Sequence, residues 1–143
     1  MTRNNRTQPE DTPPDPASLK LSALRQTVHE NIAAGKMTEA ANNYTILNKE
    51  FPEALLNEND QLALANHAFA QQEYQTAEQM YRALLENFPT ADLHGEVRLM
   101  LGLTLARYLN KPQEAEPFLQ EAVKRLPKGE NAQLAESLLE EIH

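Results

Sequence analysis

The sequence predicts an all-α protein in which three helical hairpins stack and a further helix closes the array. Three observations carry that expectation. Beyond residue 17 the chain is dominated by Leu, Ala, Glu and Gln, all good helix formers, and no alternating run of Val, Ile or Thr reads as a strand. Helix-stopping residues recur at intervals of one short helix. A segment closed by proline occurs three times at nearly constant spacing.

The elements follow in order. Residues 1–17, MTRNNRTQPEDTPPDPA, hold four of the nine prolines and no aromatic or β-branched apolar residue. Such a stretch cannot offset the entropy of ordering, so it is expected to be a disordered, solubilising leader, with a docking peptide as the alternative. Arg3 and Arg6 nearly balance Glu10, Asp11 and Asp15. Beyond it lie the stops Gly35, Pro52, Pro89, Asn110-Lys111-Pro112 and Pro127-Lys128-Gly129. They delimit expected helices at 18–34, 37–50, 57–71, 74–87, 93–109, 112–126 and 130–142. Asn57 or Asn59 suits the cap of the third helix, and Asn110 with Pro112 beside it suits the sixth. Pro117 produces a kink if that helix begins at Pro112, and is tolerated in the first turn if it begins near Glu114.

The repeat sets the architecture. EAANNYTILNKEFP (39–52) aligns with TAEQMYRALLENFP (76–89): Ala40 with Ala77, Tyr44 with Tyr81, Leu47 with Leu84, Phe51 with Phe88 and Pro52 with Pro89, all at an offset of 37. EAEPFLQEAVKRLP (114–127) is a third copy at an offset of 38, with Ala115, Leu119, Ala122, Leu126 and Pro127 in those places. This spacing of small residue, large residue, small or apolar residue and closing proline resembles the tetratricopeptide repeat family. Leu101-Gly102 matches the Leu-Gly pair of that family's first helix, where glycine admits a neighbouring helix; the earlier copies have Val28 and Ala65 instead. The repeats are a few residues longer than the standard of about 34. The stretch LMLGLTLARYLNKPQEA also resembles soluble repeat domains found alone or attached to bacterial membrane proteins. The resemblance begins after the leader at 1–17 and implies a repeat domain over 18–143, a right-handed α-α solenoid. Its repeats would span about 18–52, 53–89 and 90–127, with a capping helix at 130–142. It also implies that function resides on the concave surface formed by the first helix of each hairpin.

Composition excludes several functions. A net charge of −8 repels phosphate backbones, which argues against nucleic-acid partners. No window approaches 18 uninterrupted apolar residues, so direct membrane insertion is not expected. No apolar run follows Arg3 and Arg6, so a secretory signal is not visible and a cytoplasmic location is expected. The absence of Cys removes disulfides, thiolate catalysis and Cys-based zinc sites. His29, His67, His94 and His143 form no HExxH element or i, i+4 pair, so no metal is expected. Asn57-Glu58-Asn59-Asp60 lacks the glycine and distal glutamate of a calcium loop. Ser18, Ser22 and Ser137 lie in no GxSxG elbow, and the four glycines form no phosphate loop. The carboxylates of the later helices fall on solvent faces. A non-catalytic protein without cofactor is expected.

The remaining expectation is a protein or peptide segment held in the groove. The repeat register places Ser22, Arg25, His29 and Ile32, then Asn59, Leu62, Asn66 and Phe69, then Glu96, Leu99, Leu103 and Ala106 on the inner surface. The basic clamp by which some members of the family grip a chaperone's C-terminal carboxylate is incomplete, since Glu96 and Met100 stand where cations are needed. The helix over 97–109 is apolar almost all round, so Leu99 and Leu103 must be covered by the closing helix, by a bound segment or by a second protomer. Arg25, His29, Leu62, Asn66, Phe69, Leu99, Leu103 and Arg107 are therefore the candidate partner-binding residues. A homo-oligomeric scaffold, or an adaptor in a bacterial membrane-protein complex, is the alternative reading.

Overall fold

In the computed structural model the described residues are 13, 15–89 and 94–143. They are helical throughout, with no strand among them, and they divide into two compact units, one ending at Leu55 and one spanning Leu56–His143. Residues 1–12 and 14 of the expected leader lie outside the described residues.

The first unit is one hairpin, α1 (Pro16–Ala33) and α2 (Met37–Glu50). Helix α1 begins two residues earlier than expected. Asp15 caps it by accepting a 2.7 Å hydrogen bond from the Ser18 amide, and Pro16 at the first helical position forfeits a donor that has no partner there anyway. Val28, Ala40 and Leu47 are fully buried between the two helices. Asn43 Nδ2 donates to Asn31 Oδ1 at 2.9 Å, and Lys20 pairs with Glu50 at 2.9 Å, tying the hairpin at two further points.

The second unit contains α3 (Glu58–Ala70), α4 (Tyr74–Asn87), α5 (His94–Leu103), α6 (Pro112–Arg125) and α7 (Glu130–Ile142). Asn57 is the cap of α3, its Oδ1 accepting from the Asp60 amide at 2.8 Å. Helices α3 and α4 pair, as do α5 and α6; α4 and α7 both pack on α5, and α7 closes over α6. The second helices of the three repeats, α2, α4 and α6, are each 14 residues long and start at Met37, Tyr74 and Pro112. The 37- and 38-residue offsets of the sequence repeat are thus reproduced by the helix boundaries themselves.

The turns preceding those helices also repeat. Gly35, Gln72 and Asn110 occupy equivalent places and all have left-handed backbones, with φ of 75°, 64° and 54°. Asn110 was expected to cap α6; instead it takes this conformation, which Asn tolerates better than most residues, and Lys111 precedes the helix without a side-chain cap bond. Helix α6 begins at Pro112, so Pro117 lies inside it, on its exposed side.

The last turn of the first helix in the third repeat is wider than a regular α-helix. Residues Thr104–Tyr108 form a π-helix, in which the Leu109 amide reaches back to the Thr104 carbonyl at 3.0 Å. This accounts for the change of offset. Val28, Ala65 and Gly102 are spaced by 37, whereas Gln72 and Asn110 are spaced by 38, so the extra residue enters between Gly102 and Asn110. The π-turn is where that residue is absorbed.

Helix α5 is buried on most of its circumference, as its near-continuous apolarity requires. Leu101, Thr104 and Leu105 are inaccessible to solvent, and Thr104 satisfies its hydroxyl on the Met100 carbonyl at 2.6 Å. The expectation that Leu99 and Leu103 face an open groove is corrected here. They are 3 % and 9 % exposed, because α4, α6 and α7 surround α5 and supply the cover internally.

Candidate functional site

Leu62, Asn66 and Phe69 are four and three residues apart on α3 and therefore share one face of it. Leu62 and Phe69 are half-buried and Asn66 is exposed. Asn66 is held by the repeat core, since its Oδ1 accepts a 2.5 Å hydrogen bond from the Tyr81 hydroxyl on α4. Tyr81 is fully buried, and that burial pushes its ionisation well above the ordinary phenol range, so it stays a neutral donor.

At the end of this stripe three aromatic rings converge. Phe69 meets Tyr74 and Tyr108 edge-on, with centroids 5.4 Å and 5.5 Å away. Tyr74 and Tyr108 stack, their centroids 4.1 Å apart and their planes inclined by 12°. Such contacts each contribute about 0.5–1.5 kcal/mol beyond area burial and hold the rings in one arrangement. Desolvation, then the neighbouring Tyr108, raises the pKa of the Tyr74 phenol. Tyr108 remains 45 % exposed, one of the few large apolar side chains that open to solvent. The cluster is assembled by chain geometry: Phe69 ends α3, Tyr74 opens α4 beyond the left-handed turn at Gln72, and Tyr108 is the last residue of the π-turn. Next to Tyr108, Arg107 donates through Nη2 to Glu141 of α7 at 2.8 Å, and that bond holds the Glu141 carboxyl below its usual range.

Within the second unit the structure brings together some of the candidate residues and buries others. Leu62, Asn66 and Phe69 form a continuous accessible stripe, and Arg107 adjoins Tyr108 at the exposed end of the π-turn. Leu99 and Leu103 belong to the interior. Arg25 and His29 lie in the first unit, where Arg25 Nε donates to the Leu55 carbonyl at 2.9 Å and His29 is exposed on α1. Tyr74 and Tyr108 are missing from the sequence-based selection. The signal for them is present in the register, since each lies within two residues of a repeat-equivalent turn, Gln72 or Asn110.

One ionisable cluster ties α4 to α6. Arg82 bridges Glu78 and Glu114, both at 2.9 Å, and lies over the Phe118 ring at 5.4 Å. Among the described residues no group of three or more His, Asp or Glu is placed to hold a metal ion. His94, opening α5, is 3 % exposed, and its Nε2 has no hydrogen-bond partner. Desolvation lowers its pKa first, with Arg98 and Arg125 adding to the effect, while the Phe88 carbonyl and Glu58 oppose it. Its folded pKa lies below the unfolded value of about 6.5, so the unfolded chain binds the extra proton. Stability is accordingly expected to fall as pH drops below about 6.5, levelling off under the folded pKa. Urea unfolding at a series of pH values should show this slope in the wild type and a flatter one in His94→Gln; equal slopes would assign the effect to other groups.

Comparison with known proteins adds one finding. A family model described as YfiO, outer membrane lipoprotein, matches residues 18–138. No curated protein matches the chain. The family match overturns the expected cytoplasmic location, since the family is one of outer membrane lipoproteins. That expectation rested on a missing apolar run after Arg3 and Arg6, and an absent run locates nothing. None of the helices among the described residues is long and apolar enough to cross a membrane.

Proposed function

This chain belongs to the YfiO family of outer membrane lipoproteins, and from that membership we propose that it is a non-catalytic protein-interaction module, an adaptor within a membrane-protein complex. The observation that carries the reading is the aromatic cluster with its exposed Tyr108, continued along α3 by Asn66 and Leu62. Aromatic side chains offer large, rigid contact area at low entropic cost and are enriched where proteins meet. The stripe supplies apolar contact through Leu62 and Phe69, and Asn66 keeps its amide nitrogen for the backbone of a bound segment while Tyr81 occupies its oxygen. The tetratricopeptide-like residue pattern supports the same reading, because the hairpins of that family present their first helices to partners. The cluster offers three rings and, along α3, an amide as contact surface.

The experiment is affinity capture from the envelope fraction of the source cell, using the wild type and a variant carrying both Phe69→Ala and Tyr108→Ala. Capture of a specific partner is expected to drop at least about tenfold, since truncating an aromatic hot spot at an interface costs about 2 kcal/mol or more. Circular dichroism must remain unchanged. Undiminished capture by a folded double variant would remove this surface from the function. Self-association that survives dilution in light scattering would favour the scaffold reading instead.

A further inference from the structure

Two buried side-chain atoms among the described residues have no hydrogen-bond partner, His94 Nε2 and Arg98 Nη1. They belong to residues four apart on α5, which share one face at its amino-terminal end. Buried polar atoms are paired almost throughout folded proteins, so two orphans within one turn call for a further group.

The two are complementary in kind. The Phe88 carbonyl accepts from the imidazole, and because Nε2 is the nitrogen without a partner, that bond falls on Nδ1. In the neutral ring Nε2 is then an empty acceptor. Burial and the neighbouring Arg98 and Arg125, which outweigh Glu58, keep the ring neutral near pH 7. Arg98 is an unused donor. It is half-buried and enters no ion pair among the described residues. Glu121, the carboxylate that acts on it, is taken by Lys124 at 3.8 Å and Arg125 at 3.5 Å.

The setting is locally positive although the chain carries −8. Arg125 approaches from α6: a Cβ built at Gly95 falls 3.3 Å from Arg125 Cβ, so the end of α6 lies against the first turn of α5. The amino end of α5 adds the positive pole of its dipole. Glu96 belongs to the same turn, but it is exposed, and its place two residues from both His94 and Arg98 turns it about 200° away from them.

An occupant must donate to an imidazole and accept from a guanidinium at once. Water meets that condition but leaves the guanidinium charge uncompensated. An oxyanion that keeps a hydroxyl meets it and supplies the charge. Inorganic phosphate keeps one near pH 7. Sulfate and phosphodiesters have none, and a monoester, with its second pKa at about 6, has lost most of its own. A carboxylate offers only acceptors.

We propose that the amino end of α5 binds inorganic hydrogenphosphate, with Arg98 donating to its oxygens, His94 Nε2 accepting from its hydroxyl and Arg125 contributing charge from α6. The half-buried Arg98 is the side from which the ion enters, and the enclosed His94 forms the inner wall. The site lies at the end of α5 opposite the π-turn and does not depend on the protein-binding reading.

The test uses the full chain, labelled with 15N and titrated at pH 7 with sodium phosphate and, at matched ionic strength, with sodium sulfate. Phosphate is expected to give saturable shifts at the amides of residues 94–98 and at the His94 ring nitrogens. Sulfate should bind at least about tenfold more weakly, as a site built for a hydroxyl rejects an analogue without one. Arg98→Met keeps an apolar stem and should weaken phosphate binding about tenfold or more, with circular dichroism unchanged. Should that variant lose helicity, the comparison of the two anions on the wild type decides. Shifts that never saturate with phosphate would leave water as the occupant and overturn the proposal. Equal binding of sulfate would overturn it too, as would undiminished binding by a folded Arg98→Met.

Discussion

Replacing Tyr81 by alanine is expected to lower the unfolding free energy of the second unit by about 4 kcal/mol, the usual range for an aromatic side chain deleted from a core being about 3–5. Tyr81 is the largest fully buried side chain among the described residues, and the helices around it cannot collapse into so large a void. Tyr81→Phe separates the two parts of the effect. It keeps the ring and removes only the bond to Asn66, which is exposed and regains water, so about 1 kcal/mol is expected. Urea denaturation of both variants measures the pair. A loss below about 1.5 kcal/mol for alanine would mean that the ring is less tightly enclosed than its inaccessibility indicates.

A second large effect is expected at Gly102. A Cβ built there falls 2.6 Å from Leu119 Cγ and nearer still to Leu119 Cδ2, on a leucine that is itself fully buried. The α5–α6 approach therefore depends on the missing side chain. Gly102→Ala gains helix propensity of about 1 kcal/mol, yet it must push Leu119 out of its place, and overpacking of this kind costs about 1–3 kcal/mol. The overlap reaches Cγ as well as a terminal methyl, so the penalty belongs at the upper end, with a net loss of about 2 kcal/mol. The decisive measurement is a double-mutant cycle. Leu119→Ala alone costs about 2–5 kcal/mol, but the two substitutions together should cost less than their sum, since the smaller residue makes room for the new methyl. Strict additivity would show that the clash does not govern this contact.

The helices were legible for reasons that these residues illustrate. Proline and glycine punctuation located α2, α4 and α7 at the observed boundaries. The repeated Ala, Tyr or Leu, and Leu or Ala positions identified the core faces of α2, α4 and α6, where Ala40, Tyr81, Leu84, Ala115, Leu119 and Ala122 are buried. Apolarity on every side of α5 correctly implied cover without saying what provides it, because a hydrophobic pattern records only that water is excluded. For Leu99 and Leu103 the closing helix, a bound segment and a second protomer were all open as cover, and the closing helix α7 supplies it together with α4 and α6. The site was half legible. Helical spacing along α3 picked out Leu62, Asn66 and Phe69, but Tyr74 and Tyr108 come from different elements and meet through turn geometry. The π-turn itself leaves no mark on apolar periodicity over five residues. Its trace is the change of offset from 37 to 38, which signals an added residue but not how the helix accommodates it.

The added residue converts chain length into angular phase. Each position along a regular α-helix turns the chain by about 100° and advances it about 1.5 Å. Had Thr104–Tyr108 been one residue shorter and regularly wound, the third turn would follow Gly102 at the spacing of the second, and the side chain at its end would leave in another direction. The aromatic stack at Tyr74 thus depends on a count as well as on a residue type. A change of one codon's length in this stretch acts as a rotation at the surface, while α6 begins its 14 residues in unaltered form. In an array of similar hairpins this offers descent a way to re-aim one surface side chain without disturbing the packing code that the copies share.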